Sequence, residues 1–256
     1  MFKRLRIAVL LYILLFVAAA QFLAARRSTD WDAPLWVDVY TVDGDGRSPT
    51  REYLGHLDPR EFSAVETFFA GEAQRYGIEL TQPFRLRIIA EHKGELPTRA
   101  PEPGVFDTLW WSLRMRWLAA RLQWQNHGPS GDIVVFAVFH EPAEQLALDR
   151  STALEKGQIA VANLFAERSA RGSNGLVLAH ELLHTLGATD KYEAGSNLPR
   201  FPDGYAAPDA RPLLPQAKAE LMAGRIPLEQ HRAAIPDNLR QVVIGPATAR
   251  EIGWSH

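Results

Sequence analysis

The stretch HELLHTLGATDKY, which runs from His180 to Tyr192, gives the strongest indication of the fold of this chain. His180 and His184 lie four residues apart, so on an α-helix of about 3.6 residues per turn both imidazoles project from one face. This spacing is typical of a pair of zinc ligands. Glu181 lies about 100° further round the helix, where it suits a general base acting on water better than a metal ligand.

The sequence around the histidines predicts a short, mostly buried helix with several leucines in its body. Ser173 or Asn174 can cap its start, and Gly187 can end it in a left-handed turn. A chain that reverses at Gly187 can bring the Asp190 carboxylate back toward the imidazoles. Two histidines and one carboxylate leave a fourth zinc position open, as a catalytic site requires. The alternative is a hydrogen-bonded histidine pair on a core helix, with Asp190 as a loop cap.

The motif HELLHTLGATD resembles the H-E-x-x-H-x-x-G-x-x-[H/D] signature of the metzincin metallopeptidases. It is most similar to the minority with aspartate at the third ligand position, such as the snapalysin type. The resemblance implies that His180, His184 and Asp190 are zinc ligands and that Glu181 is the catalytic carboxylate. It also implies a methionine turn beneath the metal, for which Met222 is the candidate.

The rest of the sequence predicts one α+β domain over residues 35 to 256. Strands are predicted at 35–42, 84–90, 132–139 and 158–164, and helices at 59–77, 105–125, around the motif, at 215–223 and at 246–254. The connection from 140 to 156 is polar and helix-prone. This order resembles that of a metzincin with an inserted helix, which implies a mixed sheet, a zinc helix and a C-terminal helix. The resemblance also implies that strand 158–164 lies at the sheet edge, where an extended peptide can add as a further strand.

The N-terminus predicts a membrane anchor. Lys3, Arg4 and Arg6 precede an apolar run over residues 7–25, which at about 1.5 Å per residue nearly spans a bilayer core of about 30 Å. We therefore predict a transmembrane signal anchor over residues 1–27, a linker over 28–34, and a single-pass protein with its catalytic domain on the extracytoplasmic side. A signal peptide cleaved after residues 18–20 is the alternative.

These features together predict a zinc metalloendopeptidase that acts on a peptide or protein substrate. Zinc would lower the pKa of a water ligand toward about 7, and Glu181 would act as the general base. Tyr192 and Tyr205 are candidates for stabilising the oxyanion. The net charge of −2 gives no sign of nucleic-acid binding, and the absence of cysteine excludes thiolate ligands.

Three alternatives remain open at this stage. A non-catalytic zinc-containing binding module could keep the site while the Gly- and Pro-rich loop 193–215 covers it. A gluzincin-like hydrolase could take its third ligand from Glu193 or Glu220. The tryptophan-rich helix 105–125 could pack in the core, which its helical spacing favours, or lie on a membrane surface.

Overall fold

A five-stranded sheet forms the centre of the fold in the computed structural model, which describes Tyr12 and residues 30–98, 104–126, 128–142, 152–154 and 158–255. The strands are β1 Leu35–Asp43, β2 Phe84–Glu91, β3 Ile133–His140, β4 Thr152–Leu154 and β5 Ile159–Phe165, in the spatial order β2-β1-β3-β5-β4. Four of them are parallel, and β4 pairs antiparallel with β5. The α+β class and the mixed sheet are therefore as the sequence predicts.

The edge of the sheet differs from the prediction. Strand β5 lies between β3 and β4, so its predicted position at the edge is wrong. The strand at the edge beside β5 is β4, which belongs to the connection that the sequence marks as polar and helix-prone. Three residues are too few for an alternating pattern, so periodicity could not reveal this strand.

The helices cover both faces of the sheet. They are α1 Ser48–Gly55, α2 Ser63–Arg75, α3 Val105–Gln125, α4 Arg171–Thr185 and α5 Pro246–Glu251. Side chains alternate along β3, so that Ile133 and Val135 enter one core with α2 and α4, while Val134 and Phe136 enter a second core with α3. The larger core thus lies on the face of the sheet that carries the HELLH motif.

Helix α3 has two apolar faces, and the sheet covers one of them. Trp111, Met115 and Leu118 are buried against the sheet. The neighbouring stripe is exposed and consists of Phe106, Trp110, Leu113, Trp117 and Trp124. Core packing therefore accounts for one stripe, and the other is an apolar surface of a kind that often marks an interaction site.

The C-terminal third consists mainly of loops and short strands. These strands are β6 Ala219–Glu220, β7 Ile226–Glu229, β8 Arg232–Ala234 and β9 Val242–Val243. The helix predicted over 215–223 is absent: β6 pairs with β9, and a turn follows it. The Glu220 carboxylate accepts a hydrogen bond from Ala223 N at 3.0 Å, and Gly224 leaves the turn with φ of 68°. This local bonding satisfies the backbone without a helix.

The predicted membrane anchor requires a correction. Among the residues that the structure describes, no helix is long and apolar enough to cross a membrane. The longest, α3, has 21 residues but carries Asp107 and three arginines, which are costly in a bilayer core. The predicted span over residues 7–25 lies outside the described residues except for Tyr12. The single-pass topology, and the extracytoplasmic placement of the domain drawn from it, therefore have no support in the structure.

Candidate metal centre

The end of α4 sets the direction of the chain at the motif. The helix stops at Thr185, and Gly187 has a φ of 98°, a conformation that glycine adopts without strain. Ala188 N then donates to Leu183 O at 3.1 Å, which closes the turn. The predicted reversal at Gly187 is present, and it returns the following residues toward the histidine face.

The start of α4 differs from the prediction. The helix begins at Arg171, so Ser173 and Asn174 lie inside it and neither is the N-cap. The Asn174 side chain instead bonds to both backbone groups of Phe165, with Nδ2 donating to the carbonyl at 2.8 Å and Oδ1 accepting from the amide at 2.9 Å. This buried amide fastens α4 to the end of β5.

Three side-chain atoms of kinds that can bind a metal meet beside the reversed chain. His180 Nε2 and His184 Nε2 are 3.0 Å apart. Asp190 Oδ1 is 3.2 Å from the first nitrogen and 3.1 Å from the second. The structure therefore brings together the three residues that the resemblance implies as ligands, in a nearly equilateral triangle.

The other nitrogen of each imidazole faces a backbone carbonyl. His180 Nδ1 is 3.1 Å from Leu221 O, and His184 Nδ1 is 2.7 Å from Ala188 O. A carbonyl oxygen can only accept, so each Nδ1 carries a proton, and in the neutral ring each Nε2 presents a lone pair. Metal-binding histidines almost always have such an outer hydrogen bond. The carbonyls thus orient both rings with their lone pairs toward the centre of the triangle.

This arrangement fits a single cation. The two imidazole lone pairs and the carboxylate oxygen would repel one another at these distances without positive charge between them. In addition, Asp190 Oδ1 is buried and has no hydrogen-bond partner among the described residues. In a tetrahedral zinc site with bonds of about 2.0–2.1 Å, ligand atoms lie about 3.3 Å apart. The observed edges are within a few tenths of an ångström of that value, so the three residues suit zinc.

The charges of these groups shift one another's pKa values. For His180, burial lowers the pKa, but the nearby carboxylates of Asp190 and Glu181 outweigh it and raise the pKa overall. For Asp190, burial opposes the two imidazoles, which hold its pKa well below the usual range. The aspartate is therefore ionised and ready to bind a cation at neutral pH.

Glu181 is not one of the three vertices of this triangle. It is buried, and its Oε2 atom has no hydrogen-bond partner within the described part of the chain. One carboxylate oxygen lies within 4.8 Å of an imidazole nitrogen of each histidine. Burial raises the pKa of Glu181, and the two imidazoles oppose that rise. A buried carboxylate with a free oxygen and a raised pKa is suited to accept and return a proton.

An apolar cavity of about 280 Å³ lies beside this carboxylate. One part of its lining comes from α4 and the other from the C-terminal segments, and the lining includes Leu176, Val177, His180, Glu181, Leu221, Ile235 and Val242. The cavity therefore offers space for an apolar side chain next to the metal-ligating triangle.

The two glutamates of the gluzincin alternative lie elsewhere. Glu220 is fully buried, but its Oε1 accepts from Thr248 Oγ1 at 2.7 Å and from Gly245 N at 3.1 Å, and so ties the C-terminal helix to the turn. Glu193 is exposed and accepts from Ser196 Oγ at 3.0 Å. The geometry thus favours Asp190 over both as the third ligand.

Met222 lies in the turn that follows β6. Its side chain is fully buried in the larger core, and its carbonyl accepts from Lys191 N at 2.9 Å. The preceding carbonyl, Leu221 O, is the partner of His180 Nδ1. The turn therefore contacts both His180 and the chain beside Asp190. Sequence reasoning missed the Leu221 and Ala188 carbonyls, because a backbone acceptor has no residue-type signal.

The two tyrosines proposed for the oxyanion lie on the loop after the motif. Tyr192 forms an isolated bridge with Pro199, and Tyr205 forms one with Ala219. The Tyr205 ring also packs edge-on against Phe201, with centroids 5.4 Å apart. A role for either hydroxyl in catalysis stays a prediction.

Comparisons with known proteins do not assign the chain to a family. No family model and no curated protein matches it. One solved structure, described as "Structure of a chaperone-substrate complex", is similar over 87% of this chain at 13% sequence identity and a TM-score of 0.40. This chain spans 35% of the length of that one. The resemblance of the motif to metzincins therefore stays a prediction, and the case for a function depends on the site itself.

Proposed function

We propose that this protein is a zinc-dependent peptidase whose metal is held by His180, His184 and Asp190. The observation that carries the proposal is the triangle of acceptor atoms with edges of 3.0–3.2 Å, oriented by backbone carbonyls behind both imidazoles. A zinc ion bound there would polarise a peptide carbonyl and lower the pKa of a water ligand toward about 7.

Glu181 supplies the acid–base chemistry in this proposal. Its carboxylate takes a proton from the attacking water and returns it to the amine that leaves when the peptide bond breaks. The free Oε2 atom and the closeness to both imidazoles support this role. The apolar cavity beside Glu181 would hold a side chain of the substrate next to the bond that is cut.

The sheet supports a peptide as the substrate. Strand β4 occupies an edge of the sheet, and an extended chain can bind such an edge through backbone hydrogen bonds. Backbone pairing accepts many sequences, whereas a side-chain cavity selects among them. An edge strand and a cavity together suit an endopeptidase that cleaves within extended segments.

Metal analysis combined with peptide cleavage tests the proposal. The full chain should retain about one zinc per molecule and cleave peptides from a proteome-derived mixture, and a chelator should abolish cleavage until zinc is restored. His184→Ala should lose both zinc and cleavage. His140→Ala is the matched control, because this half-buried histidine bonds to Asn163 Oδ1 at 3.0 Å and lies outside the triangle.

The possible outcomes separate the main alternatives. Zinc binding without cleavage would identify a metal-containing binding module instead of an enzyme. Cleavage that survives both the chelator and His184→Ala would contradict the metal mechanism. A wild-type chain that retains no zinc would contradict the proposed metal site.

A further inference from the structure

We propose that the ion pair between the buried Lys191 and Glu251 is a positioning device for Asp190, the third ligand of the proposed zinc site. The inference rests on the proposed function, since it assigns a role toward the same metal. It concerns residues that neither the motif nor its family resemblance identifies.

Lys191 is an unusually buried lysine. Its side chain is 3% exposed, whereas lysine is almost never fully buried unless it is paired. Its Nζ atom lies 2.6 Å and 2.7 Å from the two oxygens of Glu251, and 2.7 Å and 2.9 Å from the hydroxyl and carbonyl oxygens of Thr189. The ammonium group is thus fully enclosed by acceptors.

Glu251 binds the residues on both sides of Asp190. Besides the contact with Lys191, its Oε2 accepts from Thr189 N at 3.0 Å and its Oε1 accepts from Thr189 Oγ1 at 2.8 Å. Glu251 is the last residue of α5, so one carboxylate on the C-terminal helix fixes the ligand's two neighbours. The backbone of Asp190 therefore cannot rotate without breaking charged hydrogen bonds.

Backbone contacts complete this fixation. Lys191 N donates to Met222 O at 2.9 Å, and Arg200 Nη2 donates to the carbonyl of Asp190 itself. Within the described part of the chain, the Asp190 carboxylate contacts the two imidazoles. The direction of this carboxylate is therefore set by the backbone of Asp190. Lys191 and Glu251 act on that backbone.

For an ion pair with one buried member, a role in setting a direction is better supported than a large contribution to stability. Two apolar residues of similar size often stabilise a protein as well as a buried ion pair does, because desolvation offsets the attraction. Replacing both partners together therefore leaves no unpaired charge in the core. The double variant Lys191→Met with Glu251→Leu should keep the fold, but it should no longer hold the Asp190 carboxylate in its direction.

The experiment compares this double variant with a matched pair elsewhere in the chain. Arg171 and Glu61 form a comparable pair, with Glu61 1% exposed and nitrogen–oxygen distances of 2.6 Å and 3.0 Å, at the far end of α4 from the motif's histidines. The control is Arg171→Met with Glu61→Leu. Zinc affinity is measured by chelator competition on each full chain, and the visible spectrum of bound Co²⁺ reports the ligand geometry.

We expect Lys191→Met with Glu251→Leu to weaken zinc binding by about 10- to 100-fold, the range seen when an outer contact of a metal ligand is removed. Its Co²⁺ spectrum should also change, while the control should bind zinc within about twofold of wild type. Near-wild-type zinc affinity and spectrum in the first variant would overturn the positioning role and leave the proposed function standing. An equal loss in both variants would likewise overturn it, since that loss would be general destabilisation. No zinc binding by the wild-type chain would overturn both.

Discussion

Glu181 is the residue at which metal binding and catalysis can be separated. It lies between the two histidines in sequence, but its free oxygen and its place outside the ligand triangle indicate a base. Glu181→Gln should keep zinc and lower peptide turnover by about 10²- to 10⁴-fold, the usual contribution of general acid–base catalysis. Zinc content and cleavage rate measured on the same preparations check this. Glu66→Gln, on α2, is the control, and equal cleavage by Glu181→Gln and wild type would remove Glu181 from the mechanism.

Asp190 is the residue that distinguishes the proposed ligand set from its alternative. Asp190→Ala removes one vertex of the triangle, so zinc affinity should fall by more than about 100-fold, beyond the usual effect of outer contacts. Glu193→Ala is the matched control, because this carboxylate belongs to the same loop and is exposed. Equilibrium competition with a chromogenic chelator measures both. If Glu193→Ala lowered zinc affinity more than Asp190→Ala, Glu193 would be the third ligand.

The spacing of the motif was enough to predict some of these residues and not others. Two histidines at positions i and i+4 share one face of a helix, and a glycine at the helix end predicts the reversal that returns Asp190. The carbonyl that orients His180 belongs to Leu221, which is 41 residues further along the chain. Glu251 is more distant still. Contacts of that kind depend on tertiary packing and have no local pattern.

Helix α3 shows how far periodicity determines an element. Its existence and limits follow from the sequence, and so do two apolar stripes at helical spacing. Which stripe meets the sheet does not follow, because both consist of large apolar side chains. The structure buries Trp111 to 7% exposure and leaves Trp117 at 62%.

The two tryptophans of α3 should therefore differ strongly in their effect on stability. Trp111 packs in the second core and donates from Nε1 to Pro97 O at 2.8 Å, so Trp111→Ala should cost about 3–5 kcal/mol of unfolding free energy. Trp117→Ala should cost about 0.5 kcal/mol or less, as surface substitutions usually do. Denaturant unfolding of both variants measures the difference. Equal costs would mean that the exposed stripe is covered in the folded protein.

At the scale of the whole molecule, the order of the main elements is more predictable than their lateral arrangement. Alternating strands and helices predict an α+β domain, and the zinc-motif helix follows β5 as expected. The position of β5 inside the sheet depends on β4, a three-residue strand that antiparallel pairing with β5 holds in place. The candidate site likewise needs parts from α4, from the turn after β6 and from α5, which are far apart in sequence.

Because the site joins these distant parts, zinc should stabilise the whole fold. A ligand that binds only the native state adds about 2.7 kcal/mol when its free concentration is 100 times its dissociation constant. For a domain of this size, about 1 kcal/mol raises the melting temperature by roughly 2–4 °C, so saturating zinc should raise it by about 5–10 °C over the chelated chain. Calorimetry of the full chain with zinc and with chelator measures the shift. His140→Ala should retain it and His184→Ala should lose it, since only the second removes a vertex of the triangle. A wild-type chain that holds one zinc but melts at the same temperature without it would show that the metal is bound elsewhere, at a site uncoupled from folding.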